Sequence, residues 1–133
     1  MKLKTLFIAN TIVSVPFGIG SVLMPRLFLS LFGATLGPAG ALMMQYSGAW
    51  LIGIGLLTWL VRDAAASKMG QRVALALLAA YLAAFVVSLL GQLAGVLNAL
   101  GWMPVAIQAF FAGSLGYLAL AALRGTASAS QKA

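Results

Sequence analysis

The sequence predicts an all-α integral membrane protein, a four-helix bundle with a short interfacial segment between its first and second spans. Three observations carry that prediction. Hydrophobic residues make up 63% of the 133-residue chain and charged residues only 7%, whereas a soluble domain needs about a quarter of its residues charged to cover its surface. The apolar residues fall into four runs, each long enough for a bilayer crossing of about 20 residues at about 1.5 Å per residue. The eight basic residues sit at the ends of those runs and form no single patch. Charge placed this way sets membrane orientation, and a nucleic-acid partner is not expected despite the net charge of +7.

The first span covers about residues 6–24 and is stopped by Pro25-Arg26. Its start, KLKTLFIANTIVSVPFGIGS, has the basic and apolar regions of a signal peptide, but the run is long and lacks a clean small-x-small cleavage site. Retention as a span is the expectation. Pro16 should kink this helix by freeing a backbone carbonyl, for which Ser14 or a neighbouring helix is the candidate donor. The stretch PRLFLSLFGATLGPAG that follows is too short and too rich in glycine to span. It reads as a short helix in the membrane interface, with a re-entrant arrangement of residues 25–33 as the alternative.

The second span, 41–61, closes on Arg62-Asp63, and the third runs over 73–97. The fourth, 104–123, leads into GTASASQKA, small and polar enough to predict a disordered tail over 125–133 beyond a single membrane domain, 1–124. With the N-terminus inside, Lys2, Lys4, Arg62, Lys68, Arg72, Arg124 and Lys132 lie inside and only Arg26 lies outside. Seven basic residues against one predict both termini in the cytoplasm. Tyr46 and Trp102 then fall near the outer boundary and Trp59 and Tyr117 near the inner one, where amphipathic rings prefer to sit. Trp50 falls near mid-membrane, where its N–H calls for a partner or a position inside the bundle.

What the chain lacks is as informative. It has no Cys and no His, and Asp63 is its one acid. Thiol redox chemistry, disulfides and thiolate or imidazole ligation of a metal are excluded, and no metal or cofactor is expected. No carboxylate pair exists for acid–base work, and nothing activates a serine or threonine. The expectation is a protein that is not an enzyme.

The remaining polar groups are amides and hydroxyls set among small residues. On the third span Ala76, Ala80, Ala84, Ser88, Gly91, Gln92 and Gly95 share an arc of about 160°. On the first, Asn10, Ser14, Gly18 and Ser21 share about 80°. The second offers Gln45, Ala49 and Gly53, and the fourth Gln108, Ala112 and Gly116. One reading is close helix packing through Gly18, Gly53, Gly91, Gly95 and Gly116, with amides bonding between helices at about 0.6 kcal/mol each. The other uses depth, since Ser21, Gln45, Gln92 and Gln108 should lie at one level, about 5–8 Å beneath the outer surface. Facing one another, they would line a polar pocket for a lipid headgroup, a quinone-like carbonyl or water.

A lysine-tipped first span carrying Asn10 and the FGIG of Phe17 to Gly20 is followed by Pro25, the LFG of Leu31 to Gly33 and the PAG of Pro38 to Gly40. Then come SGAWLIGIGLLTWLVRD and GQLAGVLNALGW. This texture resembles the small four-span bacterial proteins grouped with the DoxX-like membrane proteins, over nearly the whole chain. The resemblance implies the bacterial inner membrane and, since some DoxX relatives serve as membrane subunits of sulfur or quinone oxidoreductases, an accessory role. It cannot supply redox residues, because there is no Cys or His to receive them. The function expected is a scaffold or accessory subunit, or a binder of a lipid-like molecule. The partners expected are the bilayer and a larger membrane complex or further copies of the chain. The alternative is a passive homo-oligomeric pore lined by Gln, Asn and Ser.

Overall fold

The computed structural model describes the backbone of residues 2–130 and the side chains of residues 2–121. Within them the chain forms α1 (Leu3–Leu23), α2 (Pro25–Ser30), α3 (Pro38–Val61), α4 (Lys68–Leu93) and α5 (Trp102–Ser130), with single 3-10 turns at Arg62–Ala64 and Ala99–Gly101. Among the described residues α1, α3, α4 and α5 are long and apolar enough to cross a membrane. Their outward faces are oily, with Leu60 75%, Trp50 74% and Val87 72% exposed. The protein is a multi-pass membrane bundle.

Each boundary has a local cause. Helix α1 stops at Leu23 because Pro25 has no N–H to continue the ladder and instead opens α2 at its first position. Helix α2 folds back on α1: Phe28 meets Phe17 edge-on at 5.2 Å, in space left by the missing side chain of Gly20. Phe32 is buried beside it while Leu27 and Leu31 stay exposed, so this segment docks one face on the bundle. Pro38 starts α3 in the same way that Pro25 starts α2. Ser67 caps α4 by accepting a bond from Gly70 N at 3.2 Å, so that helix begins five residues before the predicted Val73.

The other end of α4 is a correction to the sequence reading. The helix does not reach Leu97; it ends in a Schellman turn, with Gly95 N bonding Gln92 O and Val96 N bonding Gly91 O. Gly95 holds the left-handed φ of +71° that this turn demands. It is a helix stop, not a packing glycine. Helix α5 in turn runs on to Ser130, into the stretch expected as a disordered tail, since Ala and Ser tolerate a helix once one is under way. Residues 131–133 lie outside the described residues.

The helices associate as two antiparallel pairs, α1 with α3 and α4 with α5. The pairs meet over a core of Leu6, Phe7, Ala65, Leu77, Phe111 and Leu115 towards the α3–α4 turn. Tyr81 stacks on Phe111 above that core, centroids 4.8 Å apart and planes within 12°. At the same end of the bundle Lys4 Nζ meets Asp63 at 2.6 Å, both exposed, and Arg62 lies 3.9 Å over the Trp59 ring.

Candidate functional site: a polar seam and the cleft beside it

Helices α1 and α3 approach most closely where both lack side chains. A Cβ on Gly18 would lie 2.6 Å from Gly48 O, and one on Gly48 would lie 2.7 Å from Gly18 O. One on Gly55 would strike Val15. With Ala41 these positions recur every seven residues along α3, 41–48–55, and all three are buried. That heptad, not the Gln45–Ala49–Gly53 row, is the packing face of α3. Gly53 has nothing within 4 Å, and neither has Gly91; Gly116 has only Leu78 Cδ1 at 3.8 Å. Of the five glycines expected to pack helices, Gly18 alone forms a backbone-close contact. The rest belong to rows of small residues that four-residue spacing picks out but the actual helix crossing does not use.

Close approach lets hydroxyls reach across. Thr11 Oγ1 bonds Gly55 O at 2.8 Å, and Thr58 Oγ1 accepts from Asn10 Nδ2 at 2.9 Å. Asn10 and Thr58 are 1% and 0% exposed. On the other side of Asn10, Ser14 Oγ donates to Oδ1 at 3.4 Å, and Tyr81 Oη, arriving from α4, donates to the same oxygen in a short bond. Asn10 thus ties three helices together, with its amide turned so that nitrogen meets the threonine and oxygen meets two hydroxyls. Ser14 is spent on this bond and does not serve the carbonyl that Pro16 frees. Of this set only Asn10 and Ser14 stood out in sequence. Thr58 and Tyr81 were missed, although a phenol midway along the apolar α4 was a signal that could have been read.

The four residues expected to share one pocket occupy three places. Ser21, 3% exposed, donates to Phe17 O at 2.8 Å inside the α1–α3 seam. Gln45 stands in the same seam, its Nε2 3.0 Å from Val22 O, a carbonyl in the last turn of α1 that has no helical donor. Gln92 turns into the α4–α5 connection, where Nε2 donates to Asn98 O at 3.1 Å. Gly101 has no side chain because a Cβ there would collide with Gln92 Oε1. Counting residues predicts a shared depth, but depth does not fix azimuth. Gln45 and Gln92 each donate to a backbone carbonyl near a helix end instead of to one another.

Asn98, like Thr58 and Tyr81, was passed over by sequence reasoning. Its N–H donates to Phe32 O at 2.8 Å, its Nδ2 to Leu31 O at 2.9 Å, and its Oδ1 accepts from Leu100 N at 2.9 Å. With its carbonyl taken by Gln92 and by Gly101 N, every polar group it owns is engaged. It fastens the segment after α2 to the α4–α5 turn and closes that end of the bundle.

Gln108 faces a space. A cleft of about 110 Å³ lies where the two helix pairs fail to meet. Its walls are Val13, Ser14 and Phe17 of α1, Leu51 of α3, Tyr81 of α4, and Pro104, Ile107 and Gln108 of α5. It is mostly apolar, with three polar side chains, two of them members of the Asn10 network. Among the described residues Gln108 Oε1, like Gln92 Oε1 at the α4–α5 turn, is enclosed without a hydrogen-bond partner, a state that costs about 1–3 kcal/mol. Trp50, expected to point inward or find a partner, instead stands on the outer face of α3.

Comparison of the chain with protein-family models, with curated proteins and with solved structures finds no match.

Proposed function

We propose that this protein is a non-catalytic membrane bundle that holds a lipid-like molecule in the cleft between its helix pairs. The observation that carries this reading is the unpartnered Gln108 Oε1 beside an apolar cleft whose other polar groups, Ser14 and Tyr81, are locked in place. A few fixed polar groups converging on an apolar concavity are the general form of a ligand site. The ligand site proposed from sequence moves accordingly, from Ser21, Gln45, Gln92 and Gln108 to Ser14, Tyr81 and Gln108. Seven basic residues against one support both termini in the cytoplasm, and the resemblance to DoxX-like proteins points to the inner membrane of a bacterium.

A saturable photolabelling experiment tests it. With a photoreactive hydrocarbon probe in the bilayer, saturable adducts should map to Val13, Phe17, Leu51 or Ile107. Adducts spread without saturation over outward residues such as Leu60 and Val87 would overturn the reading. A second reading is attachment to a larger membrane partner, favoured by Gly53, Gly91 and Gly113, which lie open on the outer surface with nothing near them. The resemblance to DoxX-like proteins leans the same way. A pore has less support, since Nε2 of Gln45 and Nε2 of Gln92 each already donate to a backbone carbonyl.

A further inference from the structure

The chemistry of the cleft's three polar side chains is lopsided, and this selects the ligand. Ser14 and Tyr81 each own one hydroxyl hydrogen, and both hydrogens are directed at Asn10 Oδ1. What these two groups can offer the cleft is therefore lone pairs. Gln108 Oε1 is another acceptor, and it has no donor at all. The one uncommitted donor on the walls is Gln108 Nε2. The torsion that turns a terminal amide is broad, so Oε1 can swing towards a donor without leaving a rotamer well.

Each ligand class meets these walls differently. A carbonyl or an ether accepts only: it could take one bond from Nε2 and would set its lone pairs against those of Ser14 and Tyr81. A carboxylate does the same with a full charge. An ammonium would donate, but the chain's one acid, Asp63, is at the bundle's end beside Lys4, and an unpaired charge at this depth is costly. A neutral hydroxyl both donates and accepts. It can satisfy Oε1 and accept from Nε2 together.

Size narrows the choice further. Benzene fills an engineered closed cavity of about 150 Å³, so the 110 Å³ of this open cleft favours a slim group over a quinone ring or a glycerol carrying two acyl arms. It suits the slim end of one chain, with the remainder running out along Phe17 and Leu51 into lipid.

Resting on the cleft-binding reading, we infer that the ligand is a single-chain lipid alcohol, held by its terminal hydroxyl at Gln108 beside Ser14 and Tyr81.

The test is competition in lipid nanodiscs holding the full chain and a photoreactive long-chain primary alcohol. Unlabelled long-chain alcohol should displace the probe from the cleft at about fivefold lower concentration than its methyl ether, the worth of one hydrogen bond. Gln108→Met, which keeps the length of the side chain, should bring the two competitors level while labelling persists. Equal competition in the unaltered protein, or better competition by the ether or by the matching acid, overturns the alcohol assignment but leaves a hydrocarbon-binding cleft. Absence of any saturable labelling in the cleft overturns both. The outcomes separate the two claims.

Discussion

The seam between α1 and α3 and the meeting of that pair with α4 and α5 solve the same problem in opposite ways. In the seam, Gly18, Gly48 and Gly55 have no side chains to separate the backbones, so hydroxyls and amides bond directly to carbonyls across the crossing. Between the pairs, Phe7, Leu77, Phe111 and Leu115 hold the helices apart and fill the gap at one end only. Above Tyr81 the filling runs out, and a cleft is left with an unpartnered amide on its wall. In a bilayer, lipid tails are as apolar as leucine, so large side chains gain little by meeting each other, and close backbone contact becomes the stronger means of association. The seam is where stability should concentrate, and the cleft is where the molecule can accommodate something else.

The sharpest way to break that contrast is to put side chains into the seam. Gly48→Val should cost about 3 kcal/mol or more in reversible unfolding from mixed micelles, because the branched Cβ meets Gly18 O and neither backbone can retreat. Gly53→Val on the open face of the same helix should stay within about 0.5 kcal/mol of the parent. If the two variants lose equal stability, the seam is not special. Next in size, Tyr81→Phe removes one of two hydroxyls from Asn10 Oδ1 and should cost about 1 kcal/mol in the same assay. Gln92→Leu should cost less, about 0.6 kcal/mol, as it gives up a single bond to Asn98 O. Smallest of all, Asp63→Asn should leave the unfolding midpoint unchanged, since the pair with Lys4 is exposed and screened.

The two regions were also unequally legible in the sequence. The four spans could be read because apolar length and charge placement are properties of the chain alone. Their ends were read less well. Gly95 looked like a packing residue because it continues a row of small residues on α4; only the turn around it shows that it stops the helix. In the seam, Gly18 was identifiable, but Gly48 and Gly55 were not, because the four-residue row through Gln45, Ala49 and Gly53 was read in their place and the heptad 41–48–55 was not considered. Small residues are so common here that several rows always compete, and the crossing angle decides between them. Asn10 was visible as an amide on a small-residue face, yet its partners Thr58 and Tyr81 are 48 and 71 residues away. Nothing local marks such pairs. For the cleft, Gln108 was singled out as a polar residue of interest, but Ser14 and Tyr81, which share its walls, were not grouped with it, since a void is defined by what does not fill it.

The most direct measurement of the central claim is native mass spectrometry of the protein extracted gently from its own membrane, beside the variant Leu51→Phe, whose larger ring occupies the cleft. The account predicts that the unaltered protein carries a small bound molecule and that the filled variant, folded to the same extent, carries none. The same adduct on both forms, or no adduct on either, would contradict it.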